Sequence, residues 1–221
     1  MRALLVIAGL MLLGACNMVV TKQPVFARAD AGPMQLRRGV WRGKADQPCD
    51  FNEARPITRW PDCAAGFVVL DDKLQMFDNG PKNKRTASDL PYVLAGASPG
   101  VLQALAQPGD SKSPGANDED GPSYFYVGVR PTANDPQGRV TAFTGWSVLC
   151  GPPPPGGTLT SDGKNTRYGS LEPFPGLTMD AQENDCTPAS QAALRAAAVA
   201  SEQWTKPDSI SSAHWVRDGD R

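Results

Sequence analysis

The chain has a single histidine, His214, no C-x-x-C pair, and no second long hydrophobic run after the one at its N-terminus. Each absence closes off a class of protein. One imidazole and no cysteine pair at ligand spacing cannot assemble a structural zinc quartet. The one long apolar run, residues 3–13, would span only about 16 Å as a helix, about half a bilayer core, so no permanent transmembrane helix is expected. Charge of one sign is missing too. With 22 basic and 23 acidic side chains the net charge is −1. Such a chain has no global field to draw in nucleic acid, and any partner must be recognised locally.

What is present points to one folded, loop-rich domain. The 22 glycines and 21 prolines among 221 residues exceed ordinary usage, yet 40% hydrophobic residues and five tryptophans suffice for a core.

The N-terminus is read first, because it decides where the rest folds. Arg2 gives a positive start, Ala3 to Leu13 is unbroken apolar sequence, and Gly14-Ala15 puts small residues just ahead of Cys16. That is the pattern of a secretory signal. Leu13-Gly14-Ala15-Cys16 resembles the lipobox of bacterial lipoprotein precursors. The resemblance implies that the Cys16 thiol carries diacylglycerol, that the chain is cut before it, and that the new amino group is acylated. Two or three acyl chains on one residue anchor firmly. Asn17, rather than Asp, after the cysteine implies by the same resemblance the outer membrane, facing the periplasm. The expected organisation is a signal peptide over 1–15, a lipidated N-terminus and tether over 16–36, and a single globular domain over 37–221.

Four cysteines remain: Cys49, Cys63, Cys150 and Cys186. An even number in an oxidising compartment implies two disulfides with three possible connectivities. Local pairing, Cys49 with Cys63 and Cys150 with Cys186, is preferred. Turn formers flank each cysteine of the first pair, and the second would tie a strand end to the residues before a helix. In the chain-entropy account such loops contribute about 3 and about 4 kcal/mol.

Along the chain, Asn17 to Gln35 reads as the tether, with a short strand around Pro24 to Ala27. Arg37 to Lys44 alternates as a first strand. Its Gly39-Val40-Trp41 resembles the G-x-W that opens the barrel of lipocalins, which implies a calycin-like barrel able to carry a small ligand. The cluster Arg37, Arg38, Arg42 and Lys44 reads as a solvated strand face that could also grip an anion. Ala65 to Leu70 and Lys73 to Phe77 predict a hairpin, Lys82, Lys84 and Arg85 a basic loop, and Pro91 to Ala95 a short strand. Val101 to Ala106 predicts a short helix. Ser123 to Arg130 and Gly138 to Cys150 predict the best-defined hairpin, and the prolines at 152–155 a stiff spacer. Thr187-Pro188 supplies an N-cap and N1 proline for a helix over Ala189 to Trp204, with Leu194, Ala197, Ala198, Ser201 and Trp204 along one stripe. Asp208 to Val216 predicts a second short helix.

The motifs of chemistry do not hold together. Gly96-Ala97-Ser98-Pro99-Gly100 fits G-x-S-x-G and resembles the nucleophile elbow of α/β-hydrolases, with Asp180 or Asp185 and then His214 downstream in the required order. Pro99, however, has no backbone N–H to give an oxyanion hole. Asn117 to Gly121 invites a calcium loop, but an EF-hand register puts Ala116 and Val127 where oxygen ligands belong. Gly163-Lys164 lacks the leading glycine and following hydroxyl of a phosphate loop.

The expected fold is α+β: an antiparallel sheet of five to seven strands with a C-terminal helix packed on one face and two disulfides. The expected role is a non-catalytic binding or assembly module of the cell envelope. It would be held to membrane lipid through Cys16, would meet an envelope protein or cell-wall partner, and would need no cofactor and no metal. The alternatives are a serine hydrolase using Ser98 and His214, and a small-ligand carrier on a calycin-like barrel.

Overall fold

The computed structural model describes residues 17–45, 47–79, 85–106, 123–153, 159–161, 166–168, 172–179, 185–207 and 209–219. Its strands are β1 (Met18–Thr21), β2 (Gly39–Gly43), β3 (Gly66–Val69), β4 (Lys73–Asn79), β5 (Arg85–Ala95), β6 (Gly100–Ala106), β7 (Ser123–Asn134), β8 (Val140–Ser147), β9 (Leu159–Ser161), β10 (Thr166–Tyr168), β11 (Leu177–Met179), β12 (Asp185–Pro188) and β13 (Ser211–Arg217). One α-helix, α1 (Gln191–Trp204), occurs among the described residues.

Strands β2 to β8 follow one another as an antiparallel meander, and β13 inserts between β8 and β2, antiparallel to both. The ring therefore closes into an eight-stranded antiparallel barrel. This corrects the expected open α+β sheet covered on one face. Closure depends on stretches whose local sequence points elsewhere. Val101 to Ala106 is rich in Leu, Ala and Gln, good helix formers, yet it is strand β6, hydrogen-bonded to β5 and β7 along its length. Residues 211–216, the larger part of the expected second short helix over Asp208 to Val216, lie in strand β13. Intrinsic propensity is a weak prior, and the ladders on both sides override it.

Alternation sorts the side chains. Trp41, Phe67, Leu74, Leu94, Leu102 and Val129 point into the barrel and form its interior cluster. Their neighbours point outward to two separate covers. The loop over residues 45–65 lays Ile57 and Trp60 on Val40 and Val68, outside β2 and β3. A Cβ at Gly66 would strike the Trp60 ring, so this position must be glycine for the cover to seat. Helix α1 lays Leu194, Ala197 and Ala198 on Val101, Tyr126 and Val148. Its small residues let it lie close, and Trp146 Nε1 donates to the Ala198 carbonyl at 2.8 Å. The helix begins later than expected. Ser190 is the N-cap, accepting from the Ala193 amide, while Thr187 and Pro188 end β12. Trp204 leaves the buried stripe and is 44% exposed.

The disulfides join Cys49 to Cys63, which ties off the 45–65 cover, and Cys150 to Cys186, which holds β12 to the segment after β8. Arg85, read as part of a basic loop, is buried in β5. Its guanidinium donates to the carbonyls of Pro61 and Ala64 beside the first disulfide.

Residues 17–36 are not a tether. β1 pairs with β7 and β12, and the Asn17 side chain is bonded to Cys150 and Gly151. Beyond β1 the chain runs down the outside of β6, where Gln103 receives the amides of Val25 and Phe26 and donates to the Phe26 carbonyl. It then crosses one end of the barrel. A run of β-branched residues, Val19-Val20-Thr21, is what lets this segment join the sheet.

Candidate functional site

The crossing segment closes that end. The Gly32 amide donates to the Leu94 carbonyl, the Arg37 amide to that of Val140, and the Val140 amide to that of Gln35. Met34 lies against Gly100, and Met34 and Leu36 join the interior cluster. Gly39 and Trp41 complete the floor. Gly39 has φ +119°, and a Cβ there would also collide with the Arg217 carbonyl, so a side chain is excluded on two counts. Trp41 turns its indole inward, donates Nε1–H to the Arg37 carbonyl at 2.8 Å, and lies 5.9 Å from the Phe67 ring and 5.5 Å from the Phe143 ring, centre to centre. Trp215 seals the last gap. Its Nε1 donates to the Arg38 carbonyl, and the Arg37 guanidinium lies 3.5 Å over its ring.

Above this floor the barrel is not filled. A cavity of about 220 Å³ remains, walled by apolar side chains that include Phe67, Leu74, Met76, Leu102, Phe125 and Phe143. Ala213 faces it from β13, where a larger residue would have occupied the space. Among the described residues the opposite end is the mouth. There β2 ends at Gly43, β3 begins at Gly66, β8 ends at Ser147 and β13 begins at Ser211, and Met18, Val19, Lys44 and Ile210 complete the rim. Past Ser147 the chain turns away toward Cys150, and β1 takes its place beside the start of β7. Among the described residues that line the cavity, Lys44 is the one formally charged side chain, and Ser147, Ser211 and Ser212 add hydroxyls.

A second depression, about 320 Å³, lies outside the barrel between residues 24–28 and the faces of β5 and β6. It is open and partly polar, with the Arg28–Asp72 pair at 3.6 Å on its border. Burial, reinforced by the nearby Asp71 and Asp72 carboxylates, pushes the adjoining Tyr92 hydroxyl above its ordinary value. The interior cavity has the shape and dryness that hold a ligand; the outer depression has neither.

The other sequence candidates are placed as follows. Ser98 lies in the turn between β5 and β6, and His214 lies on β13 with its side chain exposed, opposite Arg42 and Ala142. Three strands separate β13 from β5 one way around the ring and two separate it from β6 the other way, so the hydrolase pair is not brought together. Asp185 starts β12; Asp180, Cys16, Gly163-Lys164, the acidic run at 117–121, Lys82, Lys84 and the last two of the four prolines at 152–155 lie outside the described residues. The arginines near Gly39 are spoken for. Arg37 pairs with Asp218, Arg38 with Asp71 at 3.0 Å, and Arg42 with Glu53 and the Cys49 carbonyl. Lys44 alone of that cluster reaches the cavity. Among the described residues no group of three or more His, Cys, Asp and Glu side chains could hold a metal ion, and no helix is long and apolar enough to cross a membrane.

Most of the residues that build the cavity were not singled out by any motif. Gly39 and Trp41 of the floor and Lys44 at the rim were named in sequence, and the remaining signal is period-two alternation, as in Leu102-x-Ala104 and Ser211-x-Ala213-x-Trp215. Comparison with protein-family models, curated proteins and solved structures finds no significant match, so the class of protein defined here, an eight-stranded barrel with an apolar interior open at one end, rests on geometry.

Proposed function

We propose that the protein is a carrier of the cell envelope: a lipoprotein anchored through Cys16, oriented toward the periplasm, that holds a small apolar or amphiphilic molecule inside its barrel. The observation that carries this reading is the apolar cavity of about 220 Å³ inside the barrel, open at one end among the described residues. An interior void lined by Leu, Met and Phe leaves its walls without contact partners, and a ligand restores them. A dry cavity of about 150 Å³ suffices for benzene, so the space here suits a ring with substituents or one short chain and excludes a two-chain lipid. The Gly39-Val40-Trp41 resemblance supports the same reading. On this reading the expected non-catalytic binding role would be exercised in the interior. Strands closed into a ring have no free edge to lend to a partner, which disfavours docking through the barrel's own strands.

The test is uptake of N-phenyl-1-naphthylamine by the protein lacking residues 1–16, read as a fluorescence rise. Ala213→Phe fills the cavity from β13 and is expected to weaken uptake at least about tenfold, about 1.4 kcal/mol, with thermal stability kept. Uptake that ignores this substitution refutes the interior site. Labelled palmitate incorporated by the full chain and lost in Cys16→Ser tests the anchor.

A further inference from the structure

The mouth and the proposed anchor lie at the same end of the molecule. Met18 and Val19 form part of the rim, and Asn17, one residue earlier, is 3% exposed. Asn17 is held on every side. Its side-chain oxygen accepts from the amides of Cys150 and Gly151, its Nδ2 donates to the Gly151 carbonyl, and its own carbonyl accepts the Cys150 amide. The Cys150–Cys186 disulfide and the pairing of Val19 with Cys186 fix the same corner. No slack therefore separates the rim from Cys16. At about 3.5 Å per residue, the backbone of Cys16 can stand no more than about 7 Å from Met18.

Resting on the carrier reading and on acylation of Cys16, we infer that the barrel docks mouth-first on the bilayer that holds its fatty acids, and that the cavity loads from and unloads into that leaflet. The rim suits such a surface. Met18 and Ile210 are apolar and partly exposed, Val19 is buried behind them, and the exposed Lys44 offers a cation to anionic head groups. A single-chain amphiphile leaving the leaflet would pass tail first between Met18 and Ile210, keeping its polar end beside Lys44 and the Ser147 and Ser211 hydroxyls. The sealed end, with Trp41, Trp215 and the β7–β8 turn around Gln137, would face away from the membrane.

The experiment uses the full-length lipidated protein in vesicles of phosphatidylethanolamine and phosphatidylglycerol carrying head-group spin labels. A bimane fluorophore is attached in one sample at Lys44→Cys and in another at Gln137→Cys. Docking mouth-first predicts several-fold stronger quenching at position 44 than at 137. Equal quenching, or the reverse order, overturns the inference. Inserting about ten Gly and Ser residues between Cys16 and Asn17 supplies a flexible tether and is expected to abolish the contrast; a contrast that survives overturns the claim that the short connection sets the orientation. The two readings fail separately. Loss of naphthylamine uptake with the contrast intact removes the carrier and leaves the docking, whereas uptake without contrast does the opposite.

Discussion

The Tyr126 hydroxyl lies 2.6 Å from Thr21 Oγ1, and the direction of that hydrogen bond can be assigned. Thr21 gives its own hydroxyl hydrogen to the Gln23 carbonyl at 2.5 Å, so Tyr126 is the donor. The bond fastens the end of β1 to the outer face of β7, at the point where β1 has replaced β8 in the wall.

Tyr126→Phe removes that donor and leaves a buried oxygen short of a partner. A loss of about 1 kcal/mol is expected in urea unfolding. Burial holds the Tyr126 hydroxyl above its ordinary value of 10.0. A raised acid of this kind stabilises the fold fully below pH 10 and ceases to as pH climbs through the folded value. The alkaline loss of stability should therefore be smaller in Tyr126→Phe than in the parent, as read from unfolding midpoints across that range.

Gly128 is the seat of the Trp146 indole. A Cβ at Gly128 would overlap the Trp146 ring, and that ring carries the N–H that holds α1 at Ala198. Gly128→Ala is expected to cost about 1 to 3 kcal/mol, the ordinary price of overpacking, and to expose α1 to faster amide exchange. Gly138, where a Cβ meets nothing within 4 Å but φ is +79°, separates the two effects: Gly138→Ala tests backbone strain alone.

Replacing Cys150 and Cys186 together by Ser opens a link that spans 36 residues of sequence. About 4 kcal/mol of stability is expected to go, by the entropy of the released loop. Reduction opens Cys49–Cys63 as well, so the parent should lose more than the double variant does, and the difference between their two losses, read by thermal unfolding with and without dithiothreitol, should match the cost of the Cys150 and Cys186 substitutions.

Arg130 grips Glu202 with two parallel bonds, Nε to Oε1 at 2.7 Å and Nη2 to Oε2 at 2.5 Å, joining β7 to the last turn of α1. The Arg130 hydrogen bond holds the Glu202 carboxyl below its ordinary 4.5. A depressed carboxylate contributes its stability above its unfolded value and loses it as pH falls through the folded one. Both partners are partly exposed, so Glu202→Gln is expected to cost no more than about 1 kcal/mol at neutral pH and nothing once the carboxyl is protonated. Denaturation midpoints from neutral pH down through the carboxyl range test this.

Much of the wall was legible before the structure, and its closure was not. The hairpins β3–β4 and β7–β8 announce themselves through Phe67-Val68-Val69 and Tyr124 to Val129, rich in β-branched and aromatic residues. Helix α1 does so through its alanines and the proline that follows. β6 hides because Leu102, Ala104 and Leu105 serve a helix as well as a strand, and because Val101 and Gln103, facing outward, are buried too and blur the alternation. β13 hides because its inward residues Ser211 and Ala213 are small. Those small side chains leave the cavity open, so the feature that makes a site here is the same one that weakens the signal of its strand. The proposal for Cys16 is of a different kind: it rests on a resemblance read from neighbours in sequence and is independent of the fold.

Residues 17–38 start at the rim, descend the outer wall and finish as the floor, so a single strap is buckled at both poles of the barrel. If Cys16 is acylated as proposed, a proteolytic nick between Lys22 and Ala27 would leave only the pairing of β1 with β7 and β12, and the Asn17 bonds, between the barrel and its anchor, and would leave the floor covalently joined only through β2. On the carrier reading, a single cut would therefore weaken the anchor and loosen the floor together.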